Sequence, residues 1–179
     1  MRTLRTPALI MALGISALLG ACASPAARAP LAEPVASSSP TTPEQWRAAQ
    51  QAHLEWNRTR AGWRTTDSGL QYRRVSRAMP RGVSPVATDR VRVDYEGQLI
   101  TGTVFDSSFA RGESATFPLD RVIRGWTEGV QLMREGETFE FLIPADLAYG
   151  DRTIGDGLIP AGSALRFRVS LHEVNPAQE

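Results

Sequence analysis

The segment from Leu165 to His172 alternates without a break, with Leu165, Phe167, Val169 and Leu171 on one side and Arg166, Arg168, Ser170 and His172 on the other. A period of two lays one dry and one wet face along a β-strand, and the dry face has to be covered. Other stretches repeat the pattern. Arg90–Leu99 sets Val91, Val93 and Tyr95 against Arg92, Asp94 and Glu96, and Thr138–Ile143 places Phe139, Phe141 and Ile143 together. Leu70–Val75 reads as a short strand after the turn Asp67-Ser68-Gly69. Sheets with one wet face are readily antiparallel. Within this region Gly125–Met133 alone has helical spacing, with Trp126, Val130 and Met133 on one face. The expectation is an α+β fold, an antiparallel sheet of about five strands curled around one short helix.

Between the strands, from Gly102 to Gly150, aromatic and branched apolar residues arrive singly, each beside a Gly, Pro or Asp. Phe105-Asp106, Phe117-Pro118, Val122-Ile123, Gly125-Trp126 and Tyr149-Gly150 are the instances. This spacing suggests a bowl assembled from several short elements, and Asp106 is the one acid embedded among its aromatics.

Several chemistries rank low. The 179 residues suffice for one well-buried domain with appendages, and all 20 basic residues are Arg, with a formal charge of +1. Without a basic cluster the chain is a poor nucleic-acid binder, because phosphate binding is largely electrostatic. One cysteine excludes an internal disulfide, and His53 and His172 are too far apart to suggest a metal site, so neither metal nor cofactor is expected. There is no Gly-x-Ser-x-Gly elbow and no phosphate loop ending in Gly-Lys. The glycine-rich run Gly150–Gly157 lacks the aspartate spacing of a calcium loop and reads as a flap.

The N-terminal third reads differently. Residues 1–21 carry Arg2 and Arg5, an apolar run from Ala8 to Leu19, and then Gly20-Ala21. A run of about a dozen residues is too short to cross a bilayer, so this is an export signal. Leu19-Gly20-Ala21-Cys22 resembles the bacterial lipoprotein processing motif, which implies cleavage before Cys22 and its lipidation. Membrane attachment is then through the lipid anchor, and Ser24 favours the outer membrane over the inner. Residues 22–42, rich in Ala, Pro and Ser, form a spacer without a core. A helix over 43–62 follows, with Thr42 as N-cap, Pro43 in the first turn and Gln45 completing a capping box. It is expected to run to about Ala61 and stop at Gly62. Its stripe of Trp46, Ala49, His53 and Trp56 packs on its own domain or against a second copy in a dimer.

From about Asp89 to Val174 the chain resembles the FKBP family of peptidyl-prolyl cis-trans isomerases. The matching positions are Val91-x-Val93-Asp94-Tyr95-Glu96-Gly97-x-Leu99, Gly102-Thr-Val-Phe105-Asp106-Ser-Ser, Phe117-x-Leu119, Val122-Ile123-x-Gly125-Trp126-x-Glu128-Gly129, Ile143-Pro144-x-x-Leu147-Ala148-Tyr149-Gly150, Ile159-Pro160 and Leu165-x-Phe167. Thr101 departs from the Asp that many members carry. The spacer, the capped helix and Ser68-Gly-Leu-Gln-Tyr72 look like the exported, lipid-anchored branch in Gram-negative bacteria, with the isomerase domain over 66–176.

The resemblance implies an isomerase of Xaa-Pro bonds in exported proteins, facing the periplasm or the cell surface. Trp126 would be the floor under the substrate proline, with Tyr95, Phe105 and Phe167 as aromatic walls. Tyr149 would donate its hydroxyl to a substrate carbonyl, and Asp106 would accept a hydrogen bond from Tyr95 or a neighbouring donor. Phe117, Val122, Ile123 and Ile159 complete the substrate-binding set, with the Ile123 amide available to the substrate chain. Proline-containing exported polypeptides are the implied partners, and a macrolide inhibitor of the family is an implied ligand. A binding module without turnover, and a surface protein acting through its N-terminal helix, are the competing readings.

Overall fold

Helix α1, Pro43–Arg58, starts where the capping box places it. Thr42 Oγ1 accepts the Gln45 amide and Gln45 Oε1 accepts the Thr42 amide, both at 3.2 Å. The computed structural model describes residues 42–177. The export signal expected over 1–21, Cys22, and the spacer ahead of Thr42 lie outside the described residues. The helix ends at Arg58, short of the expected Ala61. Thr59 turns the chain by directing both its amide and its hydroxyl to the Trp56 carbonyl, at 3.1 and 2.8 Å. Such a tightened last turn satisfies carbonyls that a longer helix would have used. Gly62, at φ +83°, belongs to the turn beyond.

Seven strands follow, all paired antiparallel. They are β1 Arg64–Thr65, β2 Gln71–Arg74, β3 Arg90–Leu99, β4 Val104–Ser107, β5 Ala115–Pro118, β6 Thr138–Ile143 and β7 Leu165–Val174. Their spatial order is β1-β2-β6-β7-β3-β4, and β5 also pairs with β3. The count exceeds about five because β1 has two residues and because β4 and β5 share one edge of β3. β5 pairs with Arg90–Val93 and β4 with Glu96–Gln98. The spine is β3 against β7, with Val93 opposite Leu171, Tyr95 opposite Val169 and Gly97 opposite Phe167. Val91, Val93, Tyr95 and Leu99 are buried together with Leu165, Phe167, Val169 and Leu171, the face that the period of two marks out.

Helix α2, Ser108–Arg111, is a single turn after β4, capped by Ser107 Oγ, which accepts the Ala110 amide at 3.2 Å. Gly125–Met133 therefore holds one of two α-helical stretches among the described residues of this region, with short 3-10 turns at Leu119–Arg121 and Ala145–Leu147 besides. Helix α3, Arg124–Val130, buries Trp126 and Val130 against the sheet. It ends before Met133, which closes a turn on the Val130 carbonyl and is itself fully buried. Gly125 and Gly129 let α3 lie directly on β6. A Cβ on Gly125 would stand 2.4 Å from Ile143 Cγ2, and one on Gly129 would stand 2.8 Å from the Phe141 ring.

Helix α1 packs on its own chain. Leu54 joins Leu142 and Ala164 in a small cluster, and Trp46 packs against the main core. Its buried polar residues meet partners distant in sequence. Trp46 Nε1 donates to Ser163 Oγ at 3.1 Å, and Ser163 Oγ donates to the Pro160 carbonyl at 2.6 Å. Gln50 Oε1 accepts the Ala164 amide at 3.0 Å, Asn57 Nδ2 donates to Gln71 Oε1 at 2.8 Å, and Gln71 Nε2 donates to the Leu54 carbonyl at 2.9 Å. His53 lies 5.1 Å from Trp56, ring to ring.

Candidate active site

A cavity of about 760 Å³ opens where β3, β4, β5, α3 and β7 meet the loop between β6 and β7. All ten residues singled out from the sequence line it: Tyr95, Phe105, Asp106, Phe117, Val122, Ile123, Trp126, Tyr149, Ile159 and Phe167. The fold brings them together from seven segments: four strands, the stretch just before α3, α3 itself and the β6–β7 loop.

Strand periodicity aims Tyr95 and Phe167 inward, on the same face as Val93 and Val169. Between them Gly97 leaves room for rings. A Cβ there would come within 2.6 Å of both Phe105 and Phe167, so the two rings meet over bare backbone. Trp126, only 4% exposed, stands at the bottom. Its indole is edge-on to Tyr95 at 5.2 Å, to Phe167 at 5.4 Å and to Phe117 at 5.8 Å between ring centres. Phe105 meets Phe167 edge-on at 5.6 Å. Edge-to-face pairs satisfy the ring quadrupoles and fix ring orientation.

The polar groups are few. The Tyr95 hydroxyl donates to Asp106 Oδ2, and Arg111 donates through Nη1 to Asp106 Oδ1 and through Nη2 to the Tyr95 oxygen at 3.1 Å. Burial works against the Asp106 charge, but the Tyr95 hydrogen bond and the Arg111 guanidinium outweigh it, so the carboxyl sits below the usual carboxylate range. Burial and then the bond to Asp106 push the Tyr95 phenol up. Both oxygens of Asp106 are thus engaged, and it is ionised at neutral pH. Among the described residues, no hydrogen-bond partner is found for the Tyr149 hydroxyl or for the Ile123 amide. Also among the described residues, no group of three or more His, Cys, Asp or Glu could hold a metal ion.

The run Gly150–Gly157, expected as a flap, forms part of a small hairpin. Ile154 and Ile159 exchange backbone hydrogen bonds at 2.9 and 3.1 Å, and the Leu158 amide closes on the Gly155 carbonyl at 2.9 Å. Asp156 at φ 51° and Gly157 at φ 98° give the primed turn that matches strand twist. The hairpin turns Ile159 inward, where it is buried, and Ile154 joins the lining.

Residues 82–172 match the model of the family described as FKBP-type peptidyl-prolyl cis-trans isomerase, more than half of the chain and every residue that lines the cavity. The chain belongs to this family. Among FKBP relatives, the FKBP-type peptidyl-prolyl cis-trans isomerase FkpA of Aeromonas hydrophila is 52% identical over 119 residues, which are 66% of this chain and 43% of that protein. The outer membrane protein MIP of Legionella longbeachae is 43% identical over 134 residues, 75% of this chain and 56% of that one. The crystal structure of FkpA from Escherichia coli superposes with a TM-score of 0.70 at 38% identity, covering 75% of this chain and 62% of that chain. The chain spans about half the length of the curated relatives it matches.

Beyond the ten predicted residues, the cavity includes others that sequence reasoning did not assign to it. Arg121, Arg124 and Arg152 line it, with Ala148, Ile154 and Leu158. Arg111 completes the Asp106 pair from α2. Ser107 as a cap, with Arg111 one turn further on, was the signal for that helix.

Proposed function

We propose that the chain is a peptidyl-prolyl cis-trans isomerase that binds Xaa-Pro segments of exported proteins in this aromatic cavity and assists their folding. The observation that carries the reading is the Trp126 indole at the bottom of an aromatic-walled hollow, boxed edge-on by three rings. A pyrrolidine ring is flat-sided, apolar and of a size to rest on it, with Tyr95, Phe105 and Phe167 as walls and Phe117, Val122, Ile123 and Ile159 completing the contact.

Rotation about an amide faces roughly 18 to 20 kcal/mol because resonance must be broken, and uncatalysed Xaa-Pro exchange takes tens to hundreds of seconds. Bringing this to milliseconds requires about 10⁴ to 10⁵-fold, or roughly 5.5 to 7 kcal/mol. No bond is cleaved, so neither nucleophile nor metal is needed. The planar amide is strongly polar and well hydrated, whereas the twisted amide has lost resonance and much of its dipole. An apolar bowl that strips water therefore disfavours the planar form more than the twisted one. The Tyr149 hydroxyl and the Ile123 amide, both without partners inside the described chain, suit a substrate carbonyl on either side of the proline. Asp106 is a poor proton donor, ionised and doubly hydrogen-bonded. Its role is to hold Tyr95 and Arg111 as a fixed wall.

Residues 66–176 are the isomerase domain in this reading, behind the 43–62 helix. An export signal over 1–21, lipidation at Cys22 and a spacer to residue 42 place the protein on the outer membrane, facing the periplasm or the cell surface. Support comes from the Leu19-Gly20-Ala21-Cys22 motif and from a relative named as an outer membrane protein. No helix among the described residues is long and apolar enough to cross a membrane.

The test is cis to trans conversion of a Leu-Pro peptide by the full chain, with and without a family macrolide. Acceleration that the macrolide suppresses supports the reading. An inert protein overturns it.

A further inference from the structure

The cavity mouth carries charge that amide rotation does not require. Arg121 and Arg124 bracket Val122 and Ile123, and Arg152 lies on the loop that carries Tyr149 and Ile159. All three are exposed. Arg121 reaches only Asp120, at 3.8 Å, a distant pair in which both side chains are largely in water. The Arg124 side chain makes no hydrogen bond or ion pair among the described residues. Arg152 donates Nε to the Tyr149 carbonyl at 3.3 Å, so its two terminal nitrogens remain available. Asp106 is the sole acid lining the cavity and is taken by Tyr95 and Arg111, while Asp151, beside Arg152, is paired with Arg47 at 3.1 Å. A chain that is nearly neutral overall thus gathers three guanidinium groups around one opening whose single lining acid is already engaged.

We propose that Arg121, Arg124 and Arg152 form a specificity rim that favours an acidic over a basic residue next to the substrate proline. The inference rests on the isomerase reading and names the substrate class within it. A peptide seated with its proline on Trp126 and its backbone against Ile123 has its neighbouring side chains at the rim, between Arg121 and Arg124 or beside Arg152. Guanidinium groups are always charged and accept carboxylates two-pronged. Next to an apolar bowl that displaces water, their attraction is stronger than between charges in bulk solvent. A lysine at the same place meets like charge. Such complementarity acts chiefly on selection and encounter, and salt weakens it.

The test uses the full chain and two sets of tetrapeptides. One set carries Glu, Leu or Lys just before proline, and the other carries them just after. At low ionic strength the Glu peptide should exceed the Lys peptide in kcat/KM by about ten-fold in at least one set, a size set by one partly desolvated charge pair. Near 1 M salt, where screening acts within about 3 Å, the ratio should fall to about one. Replacing the three arginines together by Gln should flatten the ratio at low salt, and Arg124→Glu should lower or invert it. The ratio is the readout, so a general change in rate does not mimic it, and these exposed side chains are not needed for folding. Equal use of Glu and Lys in both sets, or a ratio that survives the triple substitution, overturns the rim. No turnover of any peptide overturns the isomerase reading and the rim with it, whereas turnover without charge preference removes the rim alone.

Discussion

The two walls of the cavity are built by different means. On the sheet side, Tyr95, Phe167 and Trp126 are held by apolar packing, each almost fully buried and each oriented by edge-on contact with another ring. On the loop side, Tyr149, Ile154 and Ile159 are positioned by hydrogen bonds. Some belong to the hairpin, and others arrive from α1 through Trp46 to Ser163 and Gln50 to Ala164, with Arg47 and Asp151 alongside. Packing is spread over many weak contacts, so one wall is rigid as a block. The other depends on a few directional bonds, so it can loosen while the sheet stays intact.

Substitutions on each side test this contrast. Trp126→Ala should cost about 3 to 5 kcal/mol in stability. It should also lower isomerisation by at least about 100-fold, as large as losing an essential transition-state contact. Thermal unfolding and peptide kinetics read the two effects. Asp106→Asn keeps the shape and removes the charge, and about ten-fold lower kcat/KM is expected, from about 1.5 kcal/mol for a charge-assisted bond. The same pair sets a pH dependence. The folded Asp106 carboxyl lies below its unfolded value, so the stabilisation is complete above that value and is lost as pH falls through the folded one. Activity should therefore hold from neutral pH down past about 4, the usual Asp range, and fail only in stronger acid. A profile that drops between neutrality and pH of about 5 contradicts the pair.

Smaller effects are expected on the loop side. Gly157→Ala puts a side chain at φ 98° and should cost about 1 to 2 kcal/mol, confined to the hairpin. Trp46→Phe removes the bond to Ser163 while keeping a ring in place, for about 1 kcal/mol. In both, hydrogen exchange should quicken at Leu158 and Ile159 and stay unchanged at Val169 and Leu171. Equal acceleration on both walls would break the comparison.

What the sequence discloses follows the same division. The alternation in β3, β6 and β7 fixes the buried face because each strand is long enough for a period of two to repeat. β4 and β5, at four residues each, are too short to show one, so only their family motif points to them. The inward turn of Gln50 and Asn57 has no local signal, since their partners at Ala164 and Gln71 belong to other elements. Periodicity marks Trp46 and Trp56 but is silent on polar residues that fold inward. The Asp156-Gly157 pair is a hairpin signal, masked by flanking strands of one bridge only. Arg121, Arg124 and Arg152 read as solvated charges until the fold sets them around one opening.

The depth of the hollow is set by two methyl groups that are missing. Gly125 and Gly129 sit on either side of Trp126 in α3, against Ile143 and Phe141, which are both fully buried and have no space to retreat. An alanine at either place would lever the helix away from the sheet, and the indole would rise with it. The guest would then perch higher, nearer water, where a polar amide loses less by staying flat. Catalytic power would ebb although every residue touching the guest remained the same.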